Sequence, residues 1–162
     1  MNNIRDFKNL NQKKVLLRLD LNVPLKNGVI LDHTRIDKIL PIIKFLLKNN
    51  SQIIIISHVG RPKGKKNKFL SLKPICENLE NKINRKIRII NDDIFKLKKE
   101  DLFKGLNDQI VFLENIRFYK EEEKNDISFA KTLAELGDLF VNDAFSCSHR
   151  AHASVCKITE FL

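Results

Sequence analysis

Tryptophan is absent from this chain and tyrosine occurs once, at Tyr119. With no tryptophan, a single tyrosine and no zinc-finger or RNA-binding signature interleaving its lysines, the chain does not read as a nucleic-acid-binding protein. Cysteine is scarce too: Cys76, Cys147 and Cys156 form no Cys-x-x-Cys pair and leave one thiol over under any pairing. That argues against a disulfide framework and a structural zinc module, and for a reduced, cytoplasmic protein without a metal site. Long hydrophobic runs are missing. Ile53 to Ile56 is among the longest, far short of a bilayer span, and the N-terminus has Asp6 and several asparagines instead of a charged start followed by an apolar stretch. Neither secretion nor membrane insertion is expected.

What is present is a core-forming composition. The chain has 162 residues, 43% hydrophobic and 31% charged, enough for one globular domain. Its formal charge of +10 first suggests a polyanionic partner. Much of that excess, however, sits in Lys63 to Lys68, which reads as a turn, and in Lys96 to Lys104, where Leu97, Leu102 and Phe103 interleave the lysines as on a surface helix. Both read as solvated faces, so no nucleic-acid partner is expected.

Apolar strand candidates alternate with helical patterns. Val15 to Leu19 is a first strand, and Asn27-Gly28 is a turn with a short extended return over Val29 to Leu31. From Thr34 onward, Ile36, Ile39, Leu40, Ile43, Leu46 and Leu47 recur at helical spacing; Pro41 leaves open whether the helix starts or bends there. Ile53 to Ile56 is a β-branched run suited to a parallel strand covered on both faces. A helix follows over Leu72, Ile75, Cys76, Leu79 and Ile83, then a strand at Ile87, Ile89 and Ile90, and a buried strand from Ile110 to Leu113. A short helix through Phe129, Leu133 and Leu136, and a last strand at Leu139 to Val141, complete the series. The repeating strand and helix units predict an α/β, Rossmann-like three-layer domain, with a mainly parallel β-sheet flanked by helices.

In such sheets ligands lie beyond the carboxyl ends of the strands. Each polar cluster follows an apolar strand there: Arg18, Asp20 and Asn22; then His58, Gly60 and Arg61; then Glu114, Asn115 and Arg117; and finally Asn142-Asp143, running on to His149-Arg150-Ala151-His152. With Arg35, these arginines and histidines make a cationic pocket fitted to a small phosphorylated acid. Asp20 and Asn22 flank Leu21, hence share a side if the strand stays extended, although a plain turn or cap remains a competing role. Glu114 is expected to orient Arg117, against the alternative of a structural salt bridge. Asn142-Asp143 is placed to brace the pocket, with His149 and His152 as supporting donors or packed neighbours of Arg150.

The stretches Arg18-Leu19-Asp20-Leu21-Asn22-Val23-Pro24-Leu25, Ser57-His58-Val59-Gly60-Arg61-Pro62-Lys63-Gly64, Leu113-Glu114-Asn115-Ile116-Arg117-Phe118 and Val141-Asn142-Asp143-Ala144-Phe145, with His149-Arg150-Ala151-His152-Ala153-Ser154, resemble the phosphoglycerate kinase family, in that family's order, from about Lys13 to Ile158. The resemblance implies reversible phosphoryl transfer from 1,3-bisphosphoglycerate to ADP, giving 3-phosphoglycerate and ATP. It implies that Asp20 and Asn22 hold the hydroxyl and nearby oxygens of 3-phosphoglycerate. Arg35 would lie beside the acceptor carboxylate as the catalytic arginine; His58, Arg61, Arg117 and Arg150 would grip the 3-phosphate, and Arg18 would assist from the strand.

Two departures stand out. Ser146-Cys147 lies where the family usually has Gly and Thr, and Leu21 replaces the usual aromatic residue. The family's second domain, which binds Mg2+ and ATP or ADP, has no counterpart, since Gly60, Gly64 and Lys65-Lys66 do not make a phosphate loop. Residues 1–162 are therefore expected to be a monomeric N-terminal substrate-binding domain, truncated before its C-terminal nucleotide-binding partner and inactive alone. A standalone anion-binding or regulatory remnant is the alternative.

Overall fold

A computed structural model describes residues 2–105 and 109–162. In chain order the elements are β1 (Lys14–Leu19), β2 (Leu25–Lys26), β3 (Val29–Ile30), α1 (Thr34–Lys48), β4 (Gln52–Ile56), α2 (Lys73–Ile83), β5 (Arg88–Ile90), β6 (Ile110–Leu113), α3 (Lys120–Glu123), α4 (Ile127–Ala134) and β7 (Leu139–Asp143). The main sheet is parallel throughout, in the order β5-β6-β4-β1-β7. β2 and β3 form a separate hairpin across Asn27 and Gly28, both at positive φ as a tight two-residue turn requires.

Side-chain alternation divides the core into two layers. Val15, Leu17, Ile53, Ile55, Ile110 and Phe112 face α1 and α2, where Ile36, Ile43, Leu46, Ile75 and Leu79 meet them. Leu16, Ile54, Ile56, Val111 and Leu113 face the other way, onto Phe129, Ala130 and Leu133 of α4. Helices on both faces of a parallel sheet make the three-layer Rossmann-like arrangement expected from the sequence. Pro41 does not start α1, which begins at Thr34 and runs through it with the ring exposed.

The Lys96 to Lys104 stretch departs from the expected surface helix. It contains short 3-10 turns at Ile94–Lys96 and Lys99–Asp101, after which Leu102 and Phe103 are buried in the α4-side core. Leu97 and Leu102 are too far apart to share a helical stripe, so the apolar residues pull the chain inward as separate anchors. Lys99 is tied to the Asp138 carboxylate, whose other oxygen accepts the Lys14 N–H at 2.8 Å, fastening the start of β1 beside β7.

Gly137, at the turn into β7, has no room for a side chain: a Cβ there would lie 2.7 Å from Leu16 Cγ and 3.2 Å from the Lys14 carbonyl. Gly137→Ala is expected to destabilise the chain by about 1–3 kcal/mol through overpacking, read as a lower urea midpoint with an unchanged slope.

Candidate functional site

Because every strand of the sheet runs the same way, the segments after β1, β4, β6 and β7 all emerge at one edge. Register brings them side by side: Arg18 lies opposite both Ile56 and Asn142, and Leu19 opposite Asp143. The buried Ser57 hydroxyl joins two of these exits, donating to the Leu19 carbonyl at 2.8 Å and accepting the Leu21 N–H at 3.2 Å.

The outer rim is one bonded group. Asp20 Oδ1 accepts Arg35 Nη1 at 3.0 Å, and the same nitrogen donates to the Asn22 carbonyl at 2.8 Å. Asn22 Oδ1 accepts the Gly60 N–H at 2.9 Å. Asp20, Asn22 and Arg35 are thus brought together, the Arg35 side chain staying 44% exposed. Ser146 joins them, its hydroxyl donating to Asp20 Oδ2 at 2.6 Å. Ser146 avoids the left-handed backbone region, so serine in a position the family gives to glycine adds a rim contact without strain. Leu21, the other departure, is fully buried in the core.

Beneath the rim is a buried cationic floor. Arg18 has no exposed surface, and each of its three nitrogens donates inside the protein: Nε to Ser154 Oγ at 3.0 Å, Nη1 to the Leu19 carbonyl at 2.8 Å and Nη2 to His58 Nδ1 at 2.9 Å. It is fully buried beneath the rim, so it offers no surface for the direct ligand contact that the sequence reading gave it. Arginine only donates, so His58 Nδ1 must be the acceptor and the neutral ring carries its proton on Nε2. Burial, reinforced by Arg18, Arg117, His152 and Arg150, pushes the His58 pKa down to about 2. Burial and the same arginines also lower that of His152, partly opposed by Glu123.

Arg117 is 5% exposed and its Nε has no hydrogen-bond partner; Glu123 Oε1 stands 3.7 Å away. Burial lowers its pKa, with Glu123 working in the opposite direction and Arg150 in the same one. Glu114 does not orient it. That carboxylate accepts the Ser71 hydroxyl at 2.6 Å, the Leu72 N–H at 2.7 Å and the Asn115 N–H at 2.9 Å, and so holds the start of α2. Asn115 does the bracing instead, accepting the Arg117 N–H at 3.0 Å while its amide group donates to the Val59 and Leu70 carbonyls.

Arg61 and Arg150 are exposed, and neither guanidinium makes a hydrogen bond among the described residues. Arg61 follows Gly60, whose φ of +66° is a backbone conformation that residues with a side chain rarely adopt. Asn142 Oδ1 accepts the Ala144 N–H at 3.0 Å and braces the turn that carries Ser146. Asp143 is half-buried, and desolvation raises its pKa. Sequence reasoning missed Glu122 and assigned Ser154 no role, yet both are fully buried against Arg18. Lys120 to Glu123 looks like a solvated charge run, and nothing local marks Glu122 as the residue turned inward.

The structure is a parallel α/β domain that gathers arginines and histidines at the carboxyl edge of its sheet, the edge where such sheets carry their ligand sites. Comparison with known proteins is more specific. The family model described as phosphoglycerate kinase matches residues 4–162, and the chain belongs to that family. It is 53% identical over 154 residues to the phosphoglycerate kinase of Wolbachia pipientis wMel, covering 94% of this chain and 38% of that protein. It is 45% identical over 159 residues to that of Borreliella afzelii (strain PKo), covering 98% of this chain and 40% of that protein. Among solved structures, phosphoglycerate kinase from Coxiella burnetii superposes with a TM-score of 0.86 at 38% identity, over 98% of this chain and 39% of that one. The chain spans 38 to 41% of the length of the first curated relatives it matches.

The depressed His58 pKa has a stability consequence. The unfolded chain's histidine takes up a proton near 6.5 and the folded one only near 2, so the unfolded state binds more protons across that interval. The stabilisation is complete above pH 6.5 and declines by about 1.4 kcal/mol per pH unit as pH falls through the window. Between pH 7 and pH 5, urea unfolding should therefore show the wild-type chain losing about 2 kcal/mol more than His58→Asn.

Proposed function

We propose that this chain supplies the 3-phosphoglycerate-binding half of a phosphoglycerate kinase, acting in the cytoplasm as part of a monomeric enzyme. The observation that carries this is the floor and its surroundings: the buried Arg18 is bonded to His58 Nδ1 at 2.9 Å, and the nearly buried Arg117 has an Nε without a hydrogen-bond partner, its nearest carboxylate standing 3.7 Å away on Glu123. Such a site is suited to a phosphate dianion. In this reading His58 Nε2–H, Arg61, Arg117 and Arg150 hold the fixed 3-phosphate, while Asp20 and Asn22 take the hydroxyl and neighbouring oxygens. Arg18 acts from beneath by holding His58.

Arg35 is the proposed catalytic residue. Its Nη1 is already oriented by Asp20 and the Asn22 carbonyl, and its remaining donors are available to a carboxylate and to the phosphoryl group exchanged with it. In the direction of ATP synthesis the acyl-phosphate P–O bond of 1,3-bisphosphoglycerate breaks, a P–O bond to ADP forms, and the carboxylate left behind is stabilised by that guanidinium. Mg2+ and the nucleotide are assigned to the part of the family's length that this chain does not span. Among the described residues no cluster of His, Cys, Asp and Glu is arranged to hold a metal ion, so no step is placed on one here.

Calorimetric titration of the 162-residue chain with 3-phosphoglycerate tests the reading. Saturable binding is expected, weakened about 10- to 100-fold by Arg117→Ala, the effect of losing one charge-assisted contact. Absence of saturation in a demonstrably folded chain, or full affinity in Arg117→Ala, overturns it. ATP-dependent phosphorylation of 3-phosphoglycerate by this chain alone is expected to be undetectable, and turnover would refute the assignment of the nucleotide site elsewhere.

A further inference from the structure

The carboxyl of Glu122 has no part in the ligand contacts just assigned, yet it sits fully buried on α3 directly behind them. Its Oε2 accepts the Ser154 N–H at 2.9 Å, and its Oε1 is hydrogen-bonded to the Ser154 hydroxyl. Ser154 is fully buried as well, and its hydroxyl oxygen also receives Arg18 Nε–H at 3.0 Å.

The direction of this chain of bonds follows from the donors. A guanidinium has protons to give and no lone pair to offer, so Arg18 Nε–H must point at Ser154 Oγ. The single hydroxyl proton of Ser154 is then left for Glu122 Oε1. On its far side the guanidinium donates Nη1–H to the Leu19 carbonyl at 2.8 Å and Nη2–H to His58 Nδ1 at 2.9 Å. The group is planar, so fixing Nε and Nη1 also fixes the line along which Nη2 meets the imidazole. The rest of the cationic cluster cannot supply this alignment: Arg117 leans toward Glu123, and Arg150 is exposed.

We propose that Glu122 and Ser154 are positioning residues which, through Arg18, hold His58 in the tautomer protonated on Nε2, so that the ring offers the crevice a neutral N–H donor. With the other tautomer the ring would turn a lone pair toward an incoming oxyanion, replacing an attraction with a repulsion. The tautomer claim stands on the buried bonds alone. Its effect on affinity rests on the functional reading given above.

The test uses the 162-residue chain with nitrogen-15-labelled histidine. Ring-nitrogen NMR near neutral pH is compared for the wild type, Ser154→Ala, Glu122→Gln and Ser154→Thr. Each form is then titrated with 3-phosphoglycerate and, separately, with inorganic phosphate. The wild type should show His58 neutral, with Nε2 protonated and Nδ1 bare. Ser154→Ala and Glu122→Gln should show a mixture of tautomers and bind both anions about tenfold more weakly, as befits one lost hydrogen bond to a charged group. Ser154→Thr, which keeps the hydroxyl, should restore both properties. An unchanged ring-nitrogen pattern in folded Ser154→Ala overturns the positioning claim, and a role limited to packing predicts that result. If Glu122→Gln does not fold, Ser154→Ala decides alone, since it removes one hydroxyl and leaves the carboxylate its backbone donor. Failure of the wild type to bind either anion overturns the functional reading, whereas the ring-nitrogen comparison still decides the tautomer claim.

Discussion

A positive charge with no access to water sits near the end of the strand flanked by β4 and β7, and the carboxyl edge is organised around it. Alternation along β1 turns Arg18 to the same face as Leu16, and its cross-strand neighbours are Ile56 on β4 and Asn142 on β7. Such a charge costs several kcal/mol to desolvate unless it is paired and hydrogen-bonded. The compensation comes from separate parts of the chain: Leu19 at the strand's own end, His58 after β4, and Ser154 backed by Glu122 from α3. Loss of any partner would leave the guanidinium uncompensated, so these segments are held in a single arrangement by a requirement that hydrophobic packing alone does not impose.

The same constraint explains why histidine, not another cation, lies next to Arg18. A lysine at position 58 would add a second buried charge against the first. An imidazole accepts the arginine's proton bond on one nitrogen and still offers a donor on the other. Burial and neighbouring arginines hold it neutral through the physiological range, so it contributes hydrogen bonding without self-repulsion. Arg117, with its unpartnered Nε and a carboxylate 3.7 Å away, carries the opposite burden: the protein's own groups compensate it only in part. A bound dianion would relieve this, which is how a site can be costly to the free fold and favourable to its ligand.

The layered fold was legible because its signals are local and repeated: the β-branched run at Ile53 to Ile56 and the helical stripe after Thr34 each carry their own period. Much of the site was legible for a geometric reason, since parallel strands deliver their C-terminal residues to one edge. What was not legible depended on which side chain turned inward. Glu114 precedes Arg117 closely in sequence, but in space its carboxylate meets the start of α2 and is saturated there. Glu122 lies in a run of five charged residues, Lys120 to Lys124, that gives no hint of its burial; only the docking of the Ser154 turn decides it. Leu102 and Phe103 were misplaced similarly, because apolar residues set among lysines look like helix spacing until the core shows it can admit them one at a time.

Rim and floor therefore differ in what a ligand can change. The Arg35 to Asp20 pair is partly solvated, and pairs of that kind contribute about 0–1 kcal/mol, so an incoming carboxylate can compete for Arg35 at little cost. Ser146 is bonded to the same Asp20, so it belongs to the exchangeable rim and not to the floor. The floor has no such freedom, since each of Arg18's bonds is buried and breaking one is not offset by water. A ligand would thus rearrange the contacts of Arg35, Asp20 and Asn22 while meeting His58 already in place. The net charge of the surface has little part in this. The many exposed lysines act through water and are screened within about 8–10 Å at physiological salt, whereas the floor's few guanidinium groups act at close range and largely out of solvent.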